Sequence, residues 1–172
     1  MPTIPETTLA YIAGIIDGDG YISITRSIRK GVEYFGAQVG ISGTRREPHD
    51  LASTLFGGRV SAYKPKNLRH RTQFQWSRVG SGAVEVIRAI EPYLLIKKEH
   101  ALLAMALHDH VTEARGEDAF PWFGPDHDPM REARNMREEM ISLNQSRNRI
   151  GKLKAGRLLD GVDHSEFPEE FL

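Results

Sequence analysis

The 172-residue chain has no cysteine. Disulfides and thiolate zinc sites are therefore excluded, and nothing in the cysteine usage argues for secretion. No apolar run approaches the roughly 20 residues of a membrane span, and the first residues lack the basic-then-apolar layout of a signal peptide. The expectation is a soluble intracellular protein with no membrane partner, in the cytoplasm of a prokaryote or in an organelle. Net charge is missing too, since 23 basic residues balance 23 acidic ones. Taken alone, that balance argues against a nucleic-acid partner.

The distribution of charge argues the other way. Residues 1–20 carry −3, residues 21–80 carry +8 and residues 81–172 carry −5. A basic middle third within a neutral chain matches the electrostatic footprint of a phosphate-binding surface. At this length one domain is expected over 1–172, large enough to bury its own core.

Thr3-Ile4-Pro5-Glu6 has the form of a capping box, with proline early in the first turn. It predicts a helix over about 4–18. Leu9, Ile12, Ile15 and Ile16 fall broadly on one side of this helix, and Ala10, Ala13, Gly14, Asp17 and Gly18 on the other. Glycine inside a helix costs about 1 kcal/mol relative to alanine, so a row of small residues implies close approach of another backbone. That backbone belongs either to a second helix or to the protein's own sheet.

After Gly20 the period changes from helical to two. Residues 21–27, 34–42, 59–63 and 72–77 alternate apolar and polar side chains and read as four half-buried antiparallel strands. Ile22, Ile24, Val39, Ile41, Phe74 and Trp76 are the expected core set. Helical patterns recur over about 47–55, 83–90, 97–110 and 130–143, and residues 116–129 read as a long surface connection. The fold class is α+β, with a sheet region over about 21–80, helices over about 81–155 and a tail over about 156–172. Met130, Met136 and Met140 with Ala133 are read as core packing.

The acids of Asp17-Gly18-Asp19-Gly20 invite a calcium-loop reading. Setting Gly20 at the sixth EF-hand position leaves Ile15 first and Arg26 twelfth, an apolar residue and a cation where oxygen ligands are required. The loop is not an EF-hand. His108-Asp109-His110 with Glu113 is likewise read as a solvated helix end rather than a metal cluster, because neighbouring helix positions point different ways.

IAGIIDGDG at 12–20, AQVGIS and LFGG within 37–58, EPYLLIKKEHA at 91–101 and ISLNQSRNR at 141–149 together resemble the single-motif LAGLIDADG homing endonucleases. The resemblance implies that family's fold, a curved antiparallel four-stranded sheet flanked by helices. It also implies a homodimer in which two motif helices pack together through Ala10, Ala13, Gly14, Asp17 and Gly18. The implied activity is a site-specific double-strand break in a long, roughly palindromic DNA target, as used in intron homing. Asp19 is the expected catalytic acid and metal ligand, and Gly18 adds its carbonyl. The implied cofactor is Mg²⁺ or Mn²⁺, with Ca²⁺ supporting binding without efficient cleavage. Asp17 is expected to be structural. Lys97 matches the family's active-site lysine, with Lys98 as its rival. The family's water-positioning glutamine falls at Gly43, so that role is absent or passes to Ser42, Arg45 or Arg46. A cleavage-deficient binder on the same scaffold, a splicing maturase or a regulator, is the alternative; RNA is a partner only in that case.

A curved antiparallel sheet can lie along the major groove, so DNA contacts are expected from the outward set of the strands. These are Ser23, Thr25, Ser27, Gln38, Gly40, Ser61, Tyr63, Gln73 and Gln75. Arg26, Arg29, Lys30, Arg59, Lys64, Lys66, Arg69 and Arg71 lie nearer loops and edges, and Arg147, Arg149 and Lys152 are expected at the phosphate backbone.

Overall fold

A computed structural model describes residues 4–66, 71–113, 128 and 130–157, with 146–157 by backbone alone. The described elements run α1 (Glu6–Gly18), β1 (Gly20–Arg29), β2 (Val32–Gly43), α2 (Glu47–Phe56), β3 (Val60–Tyr63), β4 (Gln73–Val79), α3 (Ser81–Ile90), a 3₁₀ turn (Glu91–Tyr93), α4 (Lys98–Glu113) and α5 (Arg131–Arg157). The four strands form one antiparallel sheet in the order β1-β2-β4-β3. By internal contacts the chain divides into two units, Met1–Met140 and Ile141–Leu172. The sheet and its core belong to the first; the described backbone of the second is helical.

Two boundaries differ from the sequence expectation. The first helix starts at Glu6, with Pro5 as its N-cap and no side-chain cap bond. The residue before a proline is disfavoured in helical conformation, so Ile4 stays outside. Thr3, the expected capping residue, the 116–129 connection apart from Asp128, and the tail from residue 158 on lie outside the described residues. The last helix runs to Arg157 rather than to about 143; its apolar spacing fades there, but no proline stops it.

β1 and β2 make a hairpin whose last pair is Arg29 with Val32, leaving Lys30 and Gly31 as a two-residue turn. Both have positive φ, 51° and 80°, as the right-handed twist of a tight hairpin requires. The expected alternation holds. Ile22, Ile24, Phe35, Ala37, Val39, Ile41 and Trp76 are buried on one sheet face, and Phe74 on that face is half-buried. Ile12 and Ile16 from α1, Val84, Ile87 and Ile90 from α3, and Ala104 and Leu107 from α4 complete the cluster. Each such isoleucine or leucine contributes about 1.5–3 kcal/mol by leaving water. Ala133 and Met140 are buried, and Met130 and Met136 pack against the same core.

Candidate nucleic-acid interface and acidic site

Cross-strand register assigns the opposite face of the sheet. Tyr21, Ser23, Thr25 and Ser27 on β1 stand across from Gly40, Gln38, Gly36 and Tyr34 on β2. Ser42 pairs with Gln75 of β4, and Gln75 and Gln73 pair with Ser61 and Tyr63 of β3. Ser27, Ser61, Tyr63, Gln73 and Gln75 are exposed, and Ser23, Thr25 and Gln38 are half-buried. One polar surface therefore crosses all four strands. Gly40 departs from the expected outward set, because it is buried. A Cβ there would meet Oη and Cζ of Tyr21 at 2.6 and 2.7 Å, so the phenol ring of Tyr21 lies over it. Tyr21 itself was absent from the outward set, although the alternation that selects Ser23 and Thr25 also selects it.

The cations divide. Arg29, Lys30, Lys64, Lys66, Arg59 and Arg71 are exposed, and the Arg29 guanidinium lies 5.8 Å from the Tyr34 ring centroid. Arg26 is exposed as well but is paired within the chain. It shares the face of Ile22 and Ile24, and its Nε donates to Glu33 at 2.6 Å while Arg134 of α5 holds the other Glu33 oxygen at 2.6 Å. These two arginines hold the Glu33 carboxyl below its ordinary pKa. Arg69 and the side chains of Arg147, Arg149 and Lys152 lie outside the described residues.

The acidic motif sits where α1 hands over to β1. Asp19 is the exposed C-cap residue of α1, its N–H donating to the Ile15 carbonyl at 2.8 Å. Gly20 follows because two backbones converge there: a Cβ would stand 2.6 Å from Ile16 Cα and 2.8 Å from the Gly40 carbonyl oxygen. Asp17 turns inward, only 6% exposed. Its carboxylate accepts the backbone N–H groups of Leu95 (2.7 Å), Ile96 (3.1 Å) and Lys97 (2.8 Å). Burial alone would raise the Asp17 pKa; the three N–H donors and the charge of Lys97 outweigh it and hold the group below the usual carboxylate value. The contact is reciprocated. Lys97 Nζ, also 6% exposed, donates to the carbonyls of Ile16 and Asp17 at 2.6 Å each, where the helix C-terminus favours a cation. Lys98, the rival lysine, pairs instead with Glu91 at 3.2 Å.

The small face of α1 is corrected by this geometry. Ala13 is fully buried and Asp17 nearly so, while Ala10, Tyr11, Gly14 and Gly18 are exposed. The open stripe is thus Thr7, Ala10, Tyr11, Gly14 and Gly18, and Ala13 and Asp17 face the chain's own interior. A Cβ at Gly14 or Gly18 would meet nothing within 4 Å. The segment that Asp17 holds adds Leu95 and Ile96, 89% and 56% exposed. At the position matching the family's glutamine, a Cβ on Gly43 would point at the buried His49 ring, 3.6 Å from its Cε1. Ser42 and not Gly43 continues the polar face beside Gln75. Among the described residues no group of three or more His, Cys, Asp or Glu could hold a metal; Asp109 of the His108–Glu113 stretch pairs with Arg88 at 2.9 Å. No helix among them is long and apolar enough to cross a membrane.

No family model and no curated protein matches the chain. Solved structures do. The homing endonuclease I-CvuI, in complex with its target in the presence of calcium, aligns over 80% of this chain and 82% of its own at TM-score 0.60 and 16% identity. The group I intron-encoded homing endonuclease I-CeuI, complexed with DNA, aligns over 81% and 69% at TM-score 0.61 and 13% identity. The homing endonuclease I-TnaI aligns over 83% and 97% at TM-score 0.58 and 13% identity. The four-stranded antiparallel sheet with its flanking helices is the LAGLIDADG homing endonuclease fold.

Proposed function

We propose that this chain, which has the LAGLIDADG homing endonuclease fold, is itself such an enzyme: a homodimeric, divalent-metal-dependent endonuclease that makes a double-strand break in a long, roughly palindromic DNA site. The observation that carries the reading is the exposed Asp19 carboxylate at the junction of α1 and β1, at the head of a polar sheet face inside the +8 segment. The endonucleases of like fold described in complex with DNA support it.

The dimer reading rests on the open stripe of α1. Among the described residues nothing lies within 4 Å of a Cβ placed at Gly14 or Gly18, yet each glycine costs about 1 kcal/mol relative to alanine in a helix. A second α1 packed along the stripe would explain them, with Tyr11, Leu95 and Ile96 covered at its margins. An isologous contact of this kind fits a two-fold DNA site.

One carboxylate and the Gly18 carbonyl per subunit make an incomplete all-protein metal site, but they fit a hard cation such as Mg²⁺ or Mn²⁺. Such ions take one or two carboxylates and complete their shell with water and phosphate oxygens. A bound cation would lower the pKa of the attacking water and neutralise the leaving oxygen. Ca²⁺ would support binding without efficient cleavage. Lys97 contributes from beneath, because its ammonium on the last carbonyls of α1 fixes positive charge next to Gly18. Arg29, Lys30, Lys64, Lys66, Arg69, Arg71, Arg147 and Arg149 would contact phosphates, and Ser23, Thr25, Ser27, Gln38, Ser61, Tyr63, Gln73 and Gln75 would meet bases or sugars.

The test is selection of cleaved molecules from a randomised duplex library in Mg²⁺, beside Asp19→Asn in Mg²⁺ and wild type in Ca²⁺. Recovery of one long two-fold site, cut only by wild type in Mg²⁺, is expected. Specific binding without any cutting would replace the enzyme by the splicing or regulatory binder, with Gly43 as the leading cause.

A further inference from the structure

Tyr21 does something on the polar face that its neighbours do not. Its ring crosses β2 over Gly40, and its hydroxyl oxygen accepts from Gln38 Nε2 at 3.4 Å and from Gln75 Nε2 at 3.5 Å. One phenol on β1 thereby reaches amides on β2 and β4. Gln38 is engaged at its other end as well, since its Oε1 accepts from Ser23 Oγ at 3.4 Å. Bonds of this length lie at the outer limit of hydrogen bonding. They add little to stability and act mainly by choosing one amide orientation out of two.

The two glutamines differ in what remains to offer. Gln38 has both amide atoms engaged inside the protein, whereas exposed Gln75, among the described residues, is oriented through its nitrogen alone. With that nitrogen fixed on the phenol, Gln75 presents a carbonyl oxygen and a second N–H, the pair that matches N6 and N7 of adenine in the major groove. Building on the DNA-binding reading above, we propose that Tyr21 is a positioning residue for sequence readout. Its hydroxyl presets Gln75, with Gln38 as a brace, to favour adenine at one base pair of each half-site. The ring occupies the space of a side chain at position 40, so at that point the phenol from β1 stands where β2 has no side chain of its own.

The experiment is binding selection from a randomised duplex library in Ca²⁺ with wild type, Gln75→Ala, Gln38→Ala and Tyr21→Phe, together with thermal unfolding of each. Gln75→Ala should flatten preference at one base pair per half-site, where wild type prefers adenine on one strand. Tyr21→Phe should lose about tenfold of discrimination at that same pair, with unchanged unfolding temperature and unchanged affinity for random-sequence duplex. Tyr21→Phe combined with Gln75→Ala should lose no more than Gln75→Ala alone. A Tyr21→Phe profile identical to wild type overturns the assignment, as does a change at pairs that neither glutamine affects. If wild type has no base preference at all, the DNA-readout reading fails and the role of Tyr21 fails with it. A selective wild type with an indifferent Tyr21→Phe removes Tyr21 alone.

Discussion

Replacing Asp17 by asparagine tests whether the end of α1 is held by the contacts described. The carboxylate accepts three backbone N–H groups, two on Oδ2 and one on Oδ1. Asparagine keeps one oxygen, which can serve Leu95 and Ile96, and turns an NH₂ group toward the N–H of Lys97. That buried donor then lacks an acceptor, at about 1–3 kcal/mol. The two surviving bonds lose their ionic character, which roughly halves them and removes about 1 kcal/mol each. Relief of the buried charge offsets part of this, leaving a net loss of about 3 kcal/mol. At about 2–4 °C per kcal/mol for a chain of this size, the unfolding temperature should fall by roughly 10 °C at neutral pH.

The sign of the pH dependence follows from the depressed Asp17 pKa. A carboxyl group whose folded pKa lies below its unfolded value of about 3.9 stabilises fully above that value, and the contribution is lost as pH falls through the folded pKa. Thermal and urea unfolding of wild type and Asp17→Asn should therefore differ most near neutrality and converge as pH falls through the lowered Asp17 pKa. A difference under about 0.5 kcal/mol at pH 7, the size expected of an ordinary surface substitution, would refute the reasoning. So would a difference that survives unchanged into acid.

Gly20→Ala would drive a methyl group to 2.6 Å from Ile16 Cα and 2.8 Å from the Gly40 carbonyl. Neither neighbour is a flexible side-chain end, so a loss of about 3 kcal/mol or more, or failure to accumulate folded protein, is expected from unfolding curves. Lys97→Met removes the ammonium from two buried carbonyls and should cost about 2–4 kcal/mol by urea titration. Gly14→Leu meets open space within its own chain, so the subunit should stay folded by circular dichroism while sedimentation reports monomer and cleavage is lost. An active dimer of that variant would refute packing of one α1 against another.

The period-two alternation made the sheet legible in advance, because a half-buried strand writes its two faces into successive residues. The motif likewise places Asp19 at the end of the first helix, where the structure has it as the exposed C-cap residue. What could not be read was non-local. Helical spacing groups Asp17 and Ala13 with Gly14, and although Asp17 is expected to be structural, its partners, the N–H groups of residues 95–97, lie 78 to 80 positions away. The side chain of Lys97 is fixed by the same contact from the other direction. Arg26 is exposed as its position suggests, but its pairing with Glu33, which Arg134 shares, depends on a contact from α5 that the strand pattern does not carry. Gly40 passed for an outward position because its covering residue, Tyr21, becomes its neighbour only once the β1–β2 register is set.

The ring of Tyr21 over Gly40 also bears on how this scaffold could be retargeted. A library that varies position 40 alone begins from a backbone where even one added carbon meets the phenol at 2.6 Å and the Trp76 carbonyl at 2.8 Å. Most members would be lost to misfolding. Positions 21 and 40 form one unit of diversity. A small residue at 21 removes the phenol from above position 40, but the Trp76 carbonyl at 2.8 Å stays, so a larger residue at 40 also requires the β2 and β4 backbones to move apart.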